Sequence, residues 1–323
     1  MILMSGGMDL DSFVFALNAT LPVFLIMALG YFFRRIGLLN EAFCTVADRF
    51  VFHAALPMLL FADIAESDLR QDFNPTFVLF CMIGTTVMFL AVWALARAFL
   101  KDKSLVGAFS QAAARGSAAI LGIAFVVNIY GDAGMTPLMI VSAVPLYNIL
   151  SVVILTFSAP QEPGAGSPVK KALINVAKNP IIIGIVLGLP FALLGVKIPA
   201  IPRKVLSSVG GTATPVALLS IGATFEGRKA LKKLRPTAWA SAIKLIILPS
   251  VFLPLAALLG LRGSELIAIL IMIGSPTTVS CYIMAKNMHA DGQLTASIIA
   301  ATTLLSSVTL TFWIFLLRHL ALI

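Results

Sequence analysis

Two short polar segments in this chain have the residue types to bind an ion inside an apolar medium. Arg115-Gly116-Ser117 interrupts one long apolar run, and Gly274-Ser275-Pro276-Thr277 interrupts another. A guanidinium deep in such a run is costly, and such residues mark pathways. Its planar fork also suits bidentate contact with a carboxylate. Gly and Pro weaken a helix, and in lipid the freed backbone groups must face protein or a cavity. Helices broken there would aim half-helix N-termini at an anion and leave carbonyls for a cation. The plainer alternatives are that Gly, Ser and Thr permit close helix packing and that Arg115 snorkels to an interface. Three further polar residues sit within apolar runs. Lys244 and His53 are candidates for coupling or gating, and Asn148 either bridges helices or contacts a substrate.

The two interruptions are related by position. Gly116 and Gly274 lie 158 residues apart (274 − 116). The same offset joins Pro22 to Pro180, Gly30 to Gly188, Gly37 to Gly195, Pro57 to Pro215, Ser117 to Ser275 and Gly134 to Gly292. At average usage, about one Gly match and fewer Pro matches are expected by chance. The chain therefore reads as one unit written twice, and paired interruptions in two halves point to a transport site.

Composition names the solvent. The chain is 59% hydrophobic and 11% charged, with a mean hydropathy of +1.01. No water-soluble fold of this size hides that much apolar surface, so the chain is an all-α integral membrane protein. A spanning helix takes about 20 apolar residues. Ten spans follow, near 12–33, 43–64, 74–98, 104–130, 135–158, 173–195, 203–225, 236–260, 264–286 and 293–318. The Pro- and Gly-rich stretch from Ala159 reads as a linker. It divides a first five-helix repeat (1–158) from a second (173–323), with 159–172 between them.

With the N-terminus outside, inner loops carry fourteen Lys and Arg and outer loops six. Both termini are thus expected outside the cytoplasmic (inner) membrane and the linker inside. The net charge of +9 is then a topology signal, and no dense basic stretch suggests nucleic acid. An odd number of spans per unit turns the second unit over, giving inverted repeats.

An intramembrane enzyme would need paired carboxylates, a His cluster or a Ser–His arrangement. His53, His289 and His319 are far apart, and neither HExxH nor GxSxG occurs. Cys44, Cys81 and Cys281 lack metal-ligand spacing, so no metal or other cofactor is expected. The acidic residues Asp63, Glu66, Asp68 and Asp72 read as a solvated loop at the outer end of span two, and Asp48 as interfacial. No Asp or Glu falls mid-span in spans four, five, nine or ten, which argues against a carboxylate-based coupling site.

The chain resembles the auxin efflux carrier family over nearly its whole length. The resemblance rests on Ala55-Leu56-Pro57-Met58-Leu59-Leu60-Phe61, Arg115-Gly116-Ser117, Pro145 with Asn148, Asn179-Pro180, the run from Pro215 to Ala223, and Lys244 to Pro249. It implies broken, crossing fourth and ninth helices with a substrate beside the crossover. The substrate contacts would be Arg115, Gly116, Ser117, Asn148, Gly274, Ser275, Pro276 and Thr277. It further implies a scaffold of helices one, two, six and seven that dimerises. A transport domain of helices three to five and eight to ten would move as an elevator. The implied function is secondary transport of a small organic carboxylate, malonate-, malate- or auxin-like. An anion channel or a membrane-embedded sensor on the same fold is the alternative. The chain departs from the family pattern at Ser117, where Asn is common, and at Ala119 and Ala124, where Gly and Pro are expected.

Overall fold

The computed structural model describes residues 21–66, 74–118, 126–127, 129–130, 133–159 and 167–323. The start of span one, Asp68, Asp72, Ala119, Ala124 and most of the linker lie outside them. Among the described residues the architecture is all-helical. In chain order the helices are α1 (21–35), α2 (Glu41–Ala65) and α3 (Pro75–Phe99), α4 (Val106–Ala114) and α5 (Thr136–Ser158). Then follow α6 (Pro168–Lys178), α7 (Pro180–Leu194), α8 (Ala200–Thr224) and α9 (Leu234–Leu258), the last two joined by a short unnumbered helix, Gly227–Lys232. The last three are α10 (Ser264–Gly274), α11 (Ser280–Asn287) and α12 (Gly292–His319).

Among the described residues, six helices are long and apolar enough to cross a membrane unbroken, and α6 with α7 makes a pair bent by 61°. The outward surface confirms the solvent. Helix α3 has a mean hydropathy of 2.3, yet only 33% of that window is buried inside the protein. Two thirds of a strongly apolar helix facing outward is stable only against lipid.

Span six differs from its expected bounds. Pro180 breaks the run, and α6 occupies the end of the stretch read as linker. Asn179, extended at φ −71° and ψ 120°, caps α7 by accepting from the Ile181 N–H (2.9 Å). Residues before proline are pushed out of the α region, so Asn179-Pro180 is a natural helix start. Asn179→Ala is expected to cost about 1 kcal/mol. Asn179→Ser should restore most of it, as read by thermal unfolding in detergent.

Helix starts repeat at nearly the offset seen in the sequence. Helix α8 begins 159 residues after α2 (200 − 41), α9 begins 159 after α3 (234 − 75), and α10 begins 158 after α4 (264 − 106). Packing repeats too. A Cβ on Gly30 would overlap the Leu219 carbonyl, and one on Gly188 would lie 2.8 Å from the Phe61 carbonyl oxygen. Both members of these two contacts are shifted by 158 residues (188 − 30 and 219 − 61). Glycine at these crossings lets α1 approach α8, and α2 approach α7, backbone to backbone.

Helices α1, α2, α7 and α8 thus form one packed group, with Phe61 and Phe191 edge to face at 5.4 Å. A second group gathers α3 to α5 and α9 to α12. Phe89 stacks on Tyr147 (5.6 Å), Phe80 meets Phe252 (6.4 Å), and the Trp313 Nε1–H donates to the Leu245 carbonyl (2.9 Å). Polar links also join the groups. Lys286 on α11 pairs with Asp48 on α2 (2.8 Å), and Thr224 on α8 shares a hydrogen bond with Tyr282 (2.9 Å). Asp48 is therefore buried and paired, rather than interfacial as its position suggested.

Candidate functional site

Both helices expected to break do so at matching places. Helix α4 stops at Arg115, which is extended (φ −86°, ψ 118°) and is followed by Gly116. Helix α10 stops at Ser275 (φ −69°, ψ 159°), whose conformation is dictated by Pro276. The unwound segments run antiparallel and pair, Gly116 opposite Thr277. The Ser117 N–H donates to the Pro276 carbonyl (2.9 Å).

Breaking a helix in an apolar interior leaves carbonyls without partners. Here side chains supply them. Thr277 Oγ1 donates to the Ala112 carbonyl (2.7 Å), and the Tyr147 hydroxyl donates to the Met272 carbonyl (2.8 Å). Lys244 Nζ reaches Ala114 (3.1 Å) and Ile273 (2.7 Å), one carbonyl from each broken end. The Thr277 N–H is met by Thr302 Oγ1 (3.1 Å), and Gln111 Nε2 donates to the Cys281 carbonyl (3.0 Å).

Lys244 is positioned by a π-helical turn, Ile243–Ile247 in α9. Pro249 lacks an N–H and its ring excludes the carbonyl four residues back, that of Leu245. The π turn absorbs the mismatch, and Trp313 takes the freed carbonyl. Val51–Ala55 in α2 forms the same device ahead of Pro57.

Arg115 is 3% exposed. Its guanidinium donates to Asn148 Oδ1 (3.0 Å) and contacts the Met284 sulfur (3.0 Å), while Nε is buried without a partner. Among the described residues no carboxylate pairs with it. Asn148 is fully buried, and its Nδ2 is spent on the Val144 carbonyl (2.9 Å). Asn148 therefore orients Arg115 across helices.

A cavity of about 120 Å³ opens beside the crossover. One wall is the crossover itself: Arg115, Gly116, Ser117, Pro276, Thr277 and the start of α11. The opposite wall comes from α1, α2 and α8 and is mostly apolar, including Val23, Leu56, Leu60 and Ala217, with Asp63 and Thr214 as its polar members. The cavity thus lies between the two helix groups. Asn148, Gly274 and Ser275 support its wall from behind without lining it. His53 is exposed on the flank of α2, its Nδ1 on the Arg49 carbonyl (2.9 Å), and does not reach the cavity.

Sequence reasoning missed three contributors. Asp63 lines the cavity from α2 instead of belonging to a solvated loop. Its placement was legible in the helical spacing Leu56, Leu60, Asp63, which puts it on the face that meets the crossover. Tyr147 and Gln111 had no such signal, because each works on a carbonyl of another helix, Met272 and Cys281.

The comparisons with known proteins agree with this architecture. The family model described as "Membrane transport protein" (Mem_trans) matches residues 15–314. The chain belongs to that family. It is a multi-pass membrane transporter and not an enzyme, and the resemblance to auxin efflux carriers is borne out. Relatives match end to end. An "Uncharacterized transporter YfdV" of Escherichia coli (strain K12) is 28% identical over 313 residues, covering 94% of this chain and 98% of that one. An "Uncharacterized transporter" of Methanothermobacter thermautotrophicus is 24% identical over 304 residues, covering 93% and 98%. A Rhizobium meliloti (strain 1021) protein named "Putative malonate transporter" is 23% identical over 319 residues, covering 94% and 96%.

Proposed function

We propose that this transporter is a secondary carrier for a small organic carboxylate, bound in the cavity beside the crossover with Arg115 as its anion contact. The observation that carries this reading is the Arg115 guanidinium: buried, held in place by Asn148, and without a carboxylate partner among the described residues. A buried cation is tolerated when something neutralises it, and a bound carboxylate on the cavity side does so. The apolar part of the opposite wall (Val23, Leu56, Leu60 and Ala217) suits the body of a small acid of the malonate or malate kind, in keeping with the name of the Rhizobium meliloti relative.

The repeated helix starts, the paired Gly30 and Gly188 contacts and the antiparallel crossover support two inverted five-helix repeats, 1–158 and 173–323, joined by a cytoplasmic linker. Loop charge supports termini outside the inner membrane. The position of the cavity between two packed helix groups supports an elevator. In it the group carrying the crossover slides along α1, α2, α7 and α8, which family resemblance makes the dimerising scaffold. A carrier is favoured over a channel because the paired segments fill the centre of the molecule: Ser275 and Thr277 are 0% and 2% exposed. A permeant passes only if those segments move with it.

A ligand screen by thermal shift on the purified protein tests the reading. Malonate, malate and related acids should raise the melting temperature in a concentration-dependent way, and uncharged isosteres should not. A protein stabilised equally by acid and isostere would not be a carboxylate carrier.

A further inference from the structure

We propose that Lys244 is the resident cation of the crossover, occupying the place of a coupling metal ion, so that the carrier binds and uses no sodium. This rests on the carrier reading for its meaning, but its evidence is separate. In transporters built on broken helices, half-helix carboxyl ends and unwound carbonyls are what coordinate a coupling cation. Here the carboxyl ends of α4 and α10 converge on one point, and the Lys244 ammonium stands at it. Its Nζ donates to Ile273 (2.7 Å) and Ala114 (3.1 Å), with the Met272 carbonyl at 3.5 Å. These carbonyls belong to two helix ends 159 residues apart in the chain (273 − 114), so no local turn explains the convergence.

Charge supports the assignment. Each helix end carries about −0.5 of an elementary charge, so two ends offset one ammonium. Lys244 is 0% exposed, and among the described residues no carboxylate pairs with it. The helix ends are its counter-charge. Arg115 has no such partner, which leaves the guanidinium alone to meet the transported anion. The surroundings are also those a hard cation needs, since every partner is an oxygen. Ser275 Oγ is buried and unpartnered. It lies in the same spot, because a Cβ on Gly116 would be 2.5 Å from it and 2.9 Å from Lys244 Nζ. Removing the lysine stem and ammonium would leave backbone oxygens and a hydroxyl around an empty, negatively polarised space.

The test compares melting of the purified full chain in sodium chloride and in choline chloride at equal ionic strength. Wild type should melt at the same temperature in both. Lys244→Ala should melt several degrees lower in choline and recover in sodium or lithium, as the alkali ion takes the vacated place. Lys244→Met fills that place without charge and should stay destabilised in every salt. Sodium stabilisation of wild type overturns the proposal, and so does an alanine variant that no alkali ion rescues or that melts like wild type in choline. Should Lys244→Ala fail to fold, the wild-type comparison and sodium-gradient dependence of uptake decide. Sodium-indifferent melting in a protein that moves no carboxylate would leave the Lys244 assignment standing while sinking the carrier reading.

Discussion

Arg115→Gln should slow carboxylate transport roughly 30- to 150-fold while leaving the protein folded. The estimate follows from losing charge-assisted hydrogen bonds worth about 2–3 kcal/mol in a buried site. The substitution keeps a hydrogen-bonding side chain for Asn148, whose Oδ1 now accepts from the guanidinium. Stability should move the other way. A buried cation without a carboxylate partner is a burden on the empty protein, so the ligand-free variant should melt no lower than wild type. Arg115→Lys keeps the charge but loses the planar fork, and should fall between the two. Loss of transport without loss of stability separates a binding residue from a structural one. A ligand-free melting temperature that drops sharply would make Arg115 structural instead.

Gly116→Ala should be comparably damaging for a different reason. A Cβ there meets Ser275 Oγ at 2.5 Å, Lys244 Nζ at 2.9 Å and the Met272 carbonyl oxygen at 2.9 Å. The serine and lysine ends can shift, but the Met272 carbonyl belongs to the end of α10 and cannot do so without moving the crossover. Overpacking of this kind costs about 1–3 kcal/mol, and Gly116→Val should exceed it. Transport should fall with stability, since the same contact holds both broken ends in register. Gly211→Ala is the matched control. Nothing lies within 4 Å of a Cβ at that helical position, so it should be neutral or stabilising by up to about 1 kcal/mol. Equal melting of the Gly116 and Gly211 variants would mean that the crossover is looser than its geometry implies.

Much of this site was legible in the chain because helix-breaking residues carry their own meaning. Gly116, Ser275-Pro276 and the 158-residue offset located both breaks, since each acts on its own backbone. Arg115 stood out because an ionised group in an apolar run has few benign explanations. The partners of the freed carbonyls were not legible. Tyr147 and Lys244 lie on other helices, and nothing in their local sequence says which carbonyl each will meet. His53 shows the converse error. It drew attention as a lone titratable residue in an apolar run, yet the rotation of α2 turns it away from the cavity and presents Asp63. Helical periodicity contained that choice, but only once the facing helices were known. The bend at Asn179-Pro180 was likewise written locally, in a capping residue followed by proline.

The most direct test of the central claim is exchange counterflow of labelled malonate, malate and related acids in proteoliposomes. A carrier whose cavity closes around one carboxylate at Arg115 should show saturable uptake, accelerated by unlabelled acid on the opposite side and lost in Arg115→Gln. Flux that rises linearly with concentration, ignores the opposite side and survives Arg115→Gln would contradict the account.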